Sequence, residues 1–184
     1  SNSTAECLAW GRITGGEIAN ALGSLPKPAR MSDQAWTAHQ NMVKGIVGRH
    51  GQENLYDLRR ELRTLMDNWV GVFRTGEDLA KALAAIKAIR ERAKSAPVTD
   101  KGQVYNSNLF HAFELENLID LAEVMVTGAL TREESRGAHA RRDFAVRDDD
   151  KWLKHTLAFR TPDGPRLDYK SVTIDMWKPV ERKY

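Results

Sequence analysis

The side chains best suited to chemistry are crowded into one stretch of the sequence. Glu134-Ser135-Arg136-Gly137-Ala138-His139 is followed by Arg141, Asp143, Arg147-Asp148-Asp149 and Trp152-Leu153-Lys154-His155-Thr156-Leu157. Guanidinium groups alternating with carboxylates over so short a span favour bidentate ion pairs. Two uses of such pairs stay open: an interdomain or intersubunit contact, and an exposed salt-bridge network. Asp148-Asp149-Asp150 invites a divalent cation, but three adjacent carboxylates cannot all face one ion. A solvated turn or an arginine partner is expected instead, with Arg136, Arg141 and Arg147 close by in sequence. The five histidines, His39, His50, His111, His139 and His155, show no HxxxH pair, and Cys7 is the single cysteine. No metal site is expected from that spacing. His139 and His155 read as structural hydrogen-bonding groups.

A second informative stretch is Asn2-Ser3-Thr4-Ala5-Glu6 with Gly11-Arg12. Ser3 and Glu6 have the spacing of a capping box, so a helix is expected to start here. Leu8, Trp10, Ile13, Ile18 and Leu22 make it unusually apolar for a helix at a chain end. Such a helix normally lies inside something, which suggests a longer polypeptide continuing upstream; alone, residues 5–22 are expected to self-associate or fray. Gly15-Gly16 follows no strand and is not a nucleotide-binding fingerprint.

These stretches are positioned by elements that the apolar spacing outlines. Gly23-Ser24-Leu25-Pro26-Lys27-Pro28 ends the first helix. Ser32 and Asp33 can cap a short helix carrying Trp36, Met42, Val43, Ile46 and Val47. Leu55, Leu58, Leu62, Leu65, Trp69 and Phe73 then advance by three or four and predict one helical face. Thr75-Gly76-Glu77-Asp78 resets the chain before a second stripe, Leu79, Leu83, Ile86 and Ile89. Asn106 or Ser107 caps a third helix with Leu109, Phe110, Phe113, Leu118, Leu121, Ala122, Met125 and Ala129. Three stripes with short connections predict an antiparallel three-helix bundle. Pro162-Asp163-Gly164, between two alternating segments, predicts a β-hairpin in the C-terminal arm. The expected divisions are 1–24 for the first helix, 25–52 for a linker and short helix, 53–137 for the bundle and 138–184 for the charged arm.

Composition excludes several classes of function. With 41% hydrophobic and 29% charged residues the 184-residue chain should fold. Its 28 Lys and Arg against 25 Asp and Glu leave a formal charge of only +3, weak grounds for a polyanion partner. Arg59, Arg60 and Arg63, or Arg90 and Arg92, would serve a freestanding helical module binding nucleic acid or protein, but they interleave with Glu61 and Glu91, the pattern of a solvated face. A single cysteine rules out an intramolecular disulfide and reads as a reducing compartment. No apolar run approaches the roughly 20 residues that span a bilayer.

In order and spacing, Glu134 to His139, Arg147-Asp148-Asp149, Trp152 to Leu157 and the terminal Arg182-Lys183-Tyr184 resemble the C-terminal region of the succinate dehydrogenase and fumarate reductase flavoprotein family. The resemblance covers nearly the whole chain. It departs at Ala145, where many members carry proline, and at Arg142, where the family varies. L-aspartate oxidases share the Ser-Arg-Gly string but generally have a shorter, different arm.

The resemblance implies a mainly α fold: an N-terminal remnant helix of the flavin domain, a three-helix bundle, and an arm with a hairpin. It implies FAD as cofactor of the parent enzyme, with Ser3 and Thr4 at the helix start that lies against the isoalloxazine ring. That placement suits the chemistry, since helix-start N–H groups and the positive dipole end favour the charge that a reduced ring acquires. It implies succinate–fumarate interconversion, with electrons passing to an iron-sulfur subunit and a membrane anchor, and hence a peripheral place on the cytoplasmic side of the membrane. The family's catalytic arginine belongs to a capping domain that this sequence does not contain, and its substrate-binding arginine would precede Ser1. No catalytic residue is therefore assigned, and the isolated chain is expected to be inactive and not to bind FAD.

Overall fold

The structure is a computed structural model and describes residues 2–176 and 178–180. Arg182-Lys183-Tyr184 lies outside the described residues. The chain divides into two compact units, residues 1–41 and 42–184.

The first unit holds α1 (Asn2–Ala21) and most of α2 (Asp33–Val47), which crosses the division. α1 stops where expected, because Ser24 Oγ and the Ser24 and Leu25 amides all donate to Ala21 O and Pro26 follows. At its other end the helix is already running at Ser3, so Ser3 and Thr4 lie in the first turn rather than ahead of it. Ser32 Oγ accepts from Ala35 N at 3.1 Å, as its residue type predicts for the start of α2. Leu8, Trp10, Ile13 and Ile18 are exposed.

The second unit is built on α3 (Leu55–Trp69), α4 (Gly76–Ala93) and α5 (Ser107–Thr131). Each start is capped by a side chain whose oxygen takes an amide left free by the first turn: Asn54 Oδ1 from Tyr56 N, Thr75 Oγ1 from Asp78 N, and Asn106 Oδ1 from Leu109 N. Replacing Asn54 by alanine is expected to lower stability by about 1 kcal/mol in a urea titration. An unchanged midpoint would mean that water serves those amides equally well.

The core lies between these helices. Leu58, Leu62 and Leu65 of α3, Leu79, Ala82, Ile86 and Ile89 of α4, and Ala112, Leu115, Ile119, Ala122 and Val126 of α5 are all buried, joined by Ile46 at the end of α2. The first two stripes are those the sequence spacing predicts, with one correction. Phe73 does not continue the α3 face; it is 67% exposed, in the two-residue strand β1 (Phe73–Arg74). α3 ends at Trp69, because Arg74 Nε folds back onto the Val70 and Gly71 carbonyls at 3.1 and 2.7 Å. α5 also differs from expectation. Phe110, Leu121 and Met125 are exposed, while Asn108 and Glu123 face inward. This helix is apolar around most of its circumference, so spacing alone does not choose the buried face. Asn108 holds the preceding loop: its Oδ1 accepts from Thr99 N at 2.7 Å and its Nδ2 donates to Tyr56 Oη at 3.2 Å.

Beyond α5 the chain forms β2 (Ala140–Arg141), parallel to β1, then α6 (Asp149–Trp152) and a hairpin of β3 (Lys154–Thr161) and β4 (Gly164–Ser171). Thr161 pairs with Gly164 across the Pro162-Asp163 loop. Gly164 has φ +110°, which a side chain rarely adopts, and an added Cβ would approach Glu123 Oε1 to 3.0 Å. The hairpin packs on α5 through both strands.

Candidate functional site

The charged string after α5 is folded into a clamp in which Arg132, Arg136, Arg141 and Arg147 pair with Glu134, Asp143 and Asp149, while the buried Trp152 Nε1 is left without a partner among the described residues. Its centre is Glu134, fully buried. Its carboxylate accepts a two-pronged bond from Arg136, Nε at 2.8 Å and Nη2 at 2.9 Å, and further bonds from Arg132 Nη1 at 2.5 Å and Asp148 N at 2.9 Å. Burial alone would raise the pKa of this carboxyl group. The hydrogen bonds from Arg136, Asp148 N and Arg132 outweigh it and hold the group below its ordinary range. Arg136 also donates to Asp149 Oδ1 at 2.7 Å, and Arg147 to Asp149 Oδ2 at 2.9 Å. These pairs push Arg136 up and Asp149 down, Glu134 and Arg136 being the respective leading causes.

Arg141 is the second centre, 3% exposed. Its Nη1 donates to Ala129 O at 2.9 Å, Leu130 O at 3.0 Å and Arg132 O at 3.2 Å, carbonyls that the last turn of α5 leaves without an intrahelical partner. The other edge of the same guanidinium binds Asp143 in bidentate fashion, at 2.8 and 2.9 Å. Asp143 Oδ2 in turn accepts from Gly76 N at 2.8 Å, the first amide of α4. One cation thus closes a helix C-terminus, and its counter-ion closes a helix N-terminus, each on the side that the helix dipole favours. Asp143 is held far below the usual carboxylate range, chiefly by Arg141.

The intervening residues shape the backbone. Ser135 Oγ donates to Phe144 O at 2.9 Å and accepts from Arg141 N at 2.8 Å. Arg136 and His139 exchange backbone bonds at 2.9 and 3.0 Å around a two-residue turn, where Gly137 has φ +59°. His139 lies between two partners of opposite demand. Arg74 Nη1 can only donate, so His139 Nδ1 accepts at 2.8 Å; Arg132 O can only accept, so Nε2 carries the proton, at 3.2 Å. Burial, joined by the charges of Arg74, Arg141 and Arg132, lowers its pKa. The neutral Nε2–H tautomer is therefore expected down to a pH below the ordinary histidine range, and nitrogen-15 spectra of the imidazole will test it. An Nδ1–H signal would contradict the geometry.

Arg132 joins the clamp to the hairpin. It donates to Trp152 O at 2.9 Å, Lys154 O at 2.7 Å and Thr156 Oγ1 at 3.2 Å, and its guanidinium stacks 5.2 Å from the Trp152 ring.

Within the chain the charged string is more than an exposed salt-bridge network, since its ion pairs centre on the buried Glu134 and Arg141. The three aspartates separate by role. Asp148 caps α6 by accepting from Lys151 N at 2.9 Å, Asp149 takes the two arginines, and Asp150 is exposed. Among the described residues no group of three or more His, Cys, Asp or Glu is placed to hold a metal ion. Ser3 and Thr4 belong to the other unit, exposed in the first turn of α1, where no acidic residue occupies the helix dipole. That leaves the turn chemically suited to an electron-rich ring. The surface arginines are largely committed: Arg59 to Glu114, Arg60 to Asp57, Arg90 to Asp120 and Glu123, and Arg92 to Glu53 and Glu61. Among the described residues no helix is long and apolar enough to cross a membrane.

Comparison with known proteins gives one consistent result. The model of the family described as fumarate reductase flavoprotein C-term matches residues 59–184. The fumarate reductase flavoprotein subunit of Proteus vulgaris is 37% identical over the whole chain, which covers 31% of that protein. The succinate dehydrogenase flavoprotein subunit of Rickettsia bellii is 36% identical over 95% of the chain and 29% of its own length. A solved quinol-fumarate reductase with menaquinol molecules superposes with a TM-score of 0.83 at 34% identity, over 93% of this chain and 30% of that one. The chain spans about a third of the length of the curated relatives it matches.

Proposed function

Because the chain belongs to the fumarate reductase and succinate dehydrogenase flavoprotein family, as its C-terminal region, we propose that it is the helical and C-terminal part of an enzyme interconverting succinate and fumarate. In that enzyme it braces the flavin domain and contributes α1 to the flavin's surroundings. FAD, bound in the parent, supplies the two-electron exchange with the substrate. Ser3 and Thr4, in the acid-free first turn of α1, present backbone N–H groups and the positive end of the helix dipole to the ring. The electrons pass on to an iron-sulfur subunit and a membrane anchor, and the chain's place is peripheral, on the cytoplasmic side.

The observation that carries this reading is the clamp. Its acids are held below their ordinary range, Arg136 is raised, and its histidine is fixed as a neutral tautomer between two arginine-bearing segments. Such groups fasten elements together; they are poorly matched to moving protons near neutrality. A rigid support is what a catalytic site built on other polypeptide requires.

The test is Ser3→Asp in the flavoprotein that carries this sequence. A carboxylate at the helix start competes for the amides and repels the reduced ring, so flavin content should fall and the flavin midpoint potential should shift downward, while Ser3→Ala changes both less. Unchanged flavin content and potential in Ser3→Asp would remove α1 from the cofactor's surroundings.

A further inference from the structure

A cleft of about 300 Å³ lies between α5 and the inner face of the hairpin, walled by Val124, Met125, Ala158 and Leu167 and floored by Gly128. Arg74 and His139 also line it. Arg74 is half-buried, and among the described residues no carboxylate pairs with its guanidinium. Its partners are two carbonyls, Val70 O and Gly71 O, and the neutral His139 ring, none of which carries a full negative charge. Burial lowers its pKa with nothing to offset it. Arg132, Arg136, Arg141 and Arg147 of the clamp each have a carboxylate partner, and Arg142, which has none among the described residues, is exposed to water. A partly desolvated cation left without a counter-ion is costly, and removing that cost favours an anion arriving from outside.

Gly128 gives an independent indication. It lies within α5, where glycine disfavours the helix relative to alanine, yet an added Cβ there would meet nothing within 4 Å. Packing inside the chain does not require this glycine. Its absent side chain instead leaves the floor of the cleft open, so that a bound group can lie directly on the helix backbone.

We propose that this cleft binds a carboxylate carried on a short aliphatic stem. The carboxylate pairs with the outer edge of Arg74, whose Nη2 has no hydrogen-bond partner among the described residues, and the stem lies over Gly128 between Met125 and Leu167. Apart from Thr156, His139 and Arg132, which Glu134 already neutralises, the lining around Arg74 is apolar, so the stem is hydrocarbon; Arg74 is the one lining charge without a carboxylate partner among the described residues, so the ligand carries its charge at one terminus. Its residues all belong to the second unit, and it does not depend on the flavin contact proposed for Ser3 and Thr4.

The probe is hexanoate, titrated into the full chain and followed by amide chemical shifts, with hexanamide as the uncharged equivalent. Hexanoate should give saturable shifts centred on Gly128, Ala158 and Leu167, with a Kd on the order of 1 mM for so small a ligand. Hexanamide should bind at least about ten-fold more weakly, as should hexanoate to Arg74→Gln, because a charge-assisted bond is lost. Gly128→Leu, whose Cβ meets nothing within 4 Å, puts its longer side chain into the cleft and should abolish the shifts; an unchanged amide spectrum away from the cleft shows that the fold is kept, so the test stays decisive if Arg74→Gln unfolds. Equal binding of hexanamide, undiminished binding to Arg74→Gln or Gly128→Leu, or no saturable shift with hexanoate would each overturn the proposal.

Discussion

Glu134→Gln is expected to destabilise the second unit by about 3–5 kcal/mol, the range typical of removing one partner from a buried ion pair. Glutamine has nearly the same shape, so little of the loss comes from packing. It comes from two guanidinium groups, Arg132 and Arg136, and the Asp148 amide, all of which point donors at a fully buried position. A carboxylate has only acceptors to offer them; an amide turns an NH2 donor toward at least one, leaving buried donors facing each other. The neighbouring Glu133 is the control. It is half-exposed with a single partner, Lys151, at 2.7 Å, and Glu133→Gln should change stability by less than about 1 kcal/mol.

The same substitution should alter the dependence of stability on pH. Glu134 has a folded-state pKa below its value in the unfolded chain, so its contribution is complete above the unfolded pKa of about 4.5 and is lost as pH falls through the depressed folded value. Asp143 and Asp149 act in the same direction. Glu134→Gln should therefore flatten the acid limb of the curve without moving the plateau near neutrality other than downward. A plateau within 1 kcal/mol of the parent protein would mean that the cost of desolvating the clamp cancels its attractions.

Arg141→Ala is expected to cost a similar amount, about 3–5 kcal/mol, by a different route. Three carbonyls at the end of α5 lose their donor, and Asp143 loses the partner that orients it toward Gly76 N. Amide exchange should report the damage in two places far apart in sequence, the last turn of α5 and the first turn of α4. Arg141→Lys should recover less than half of the loss, since an ammonium cannot serve three carbonyls on one edge and a carboxylate on the other. Damage confined to the last turn of α5 would show that Asp143 holds α4 unaided. The two substitutions share Arg132 and Ser135 as neighbours, so their combined effect should fall short of the sum.

Much of the fold follows from spacing, and the exceptions have physical causes. Leucine at every third or fourth position marks α3 and α4, and Asn106 ahead of α5 and Pro162-Asp163-Gly164 between β3 and β4 do the jobs that their residue types allow. Phe73 continued the α3 period in sequence but not in space, because Arg74 folds back to terminate the helix, a contact that no periodicity carries. The buried face of α5 was obscured by apolar residues around most of its circumference; Glu123 and Asn108 face inward only because Arg90 and the loop at Thr99 supply their partners. The pairing of β1 with β2 joins two-residue segments with more than 60 positions between them, too short for any strand pattern.

The charged string was legible as a set of arginine–carboxylate pairs, not as a buried one. Nothing local distinguishes Glu134, fully buried, from Glu133, exposed. The difference arises when the chain turns at Gly137 and brings Asp148 N and Arg136 to the same carboxylate. No local pattern marks Arg74, which is distinguished only by having no carboxylate partner among the described residues once the fold has formed.

The visible absorption spectrum of the purified 184-residue chain, after incubation with excess FAD and desalting, bears most directly on whether these residues support a redox site assembled mainly from other polypeptide. The expected result is a cooperatively unfolding protein that retains no flavin and reduces no dye with succinate. A protein that keeps flavin in stoichiometric amount, or turns over succinate, would contradict it.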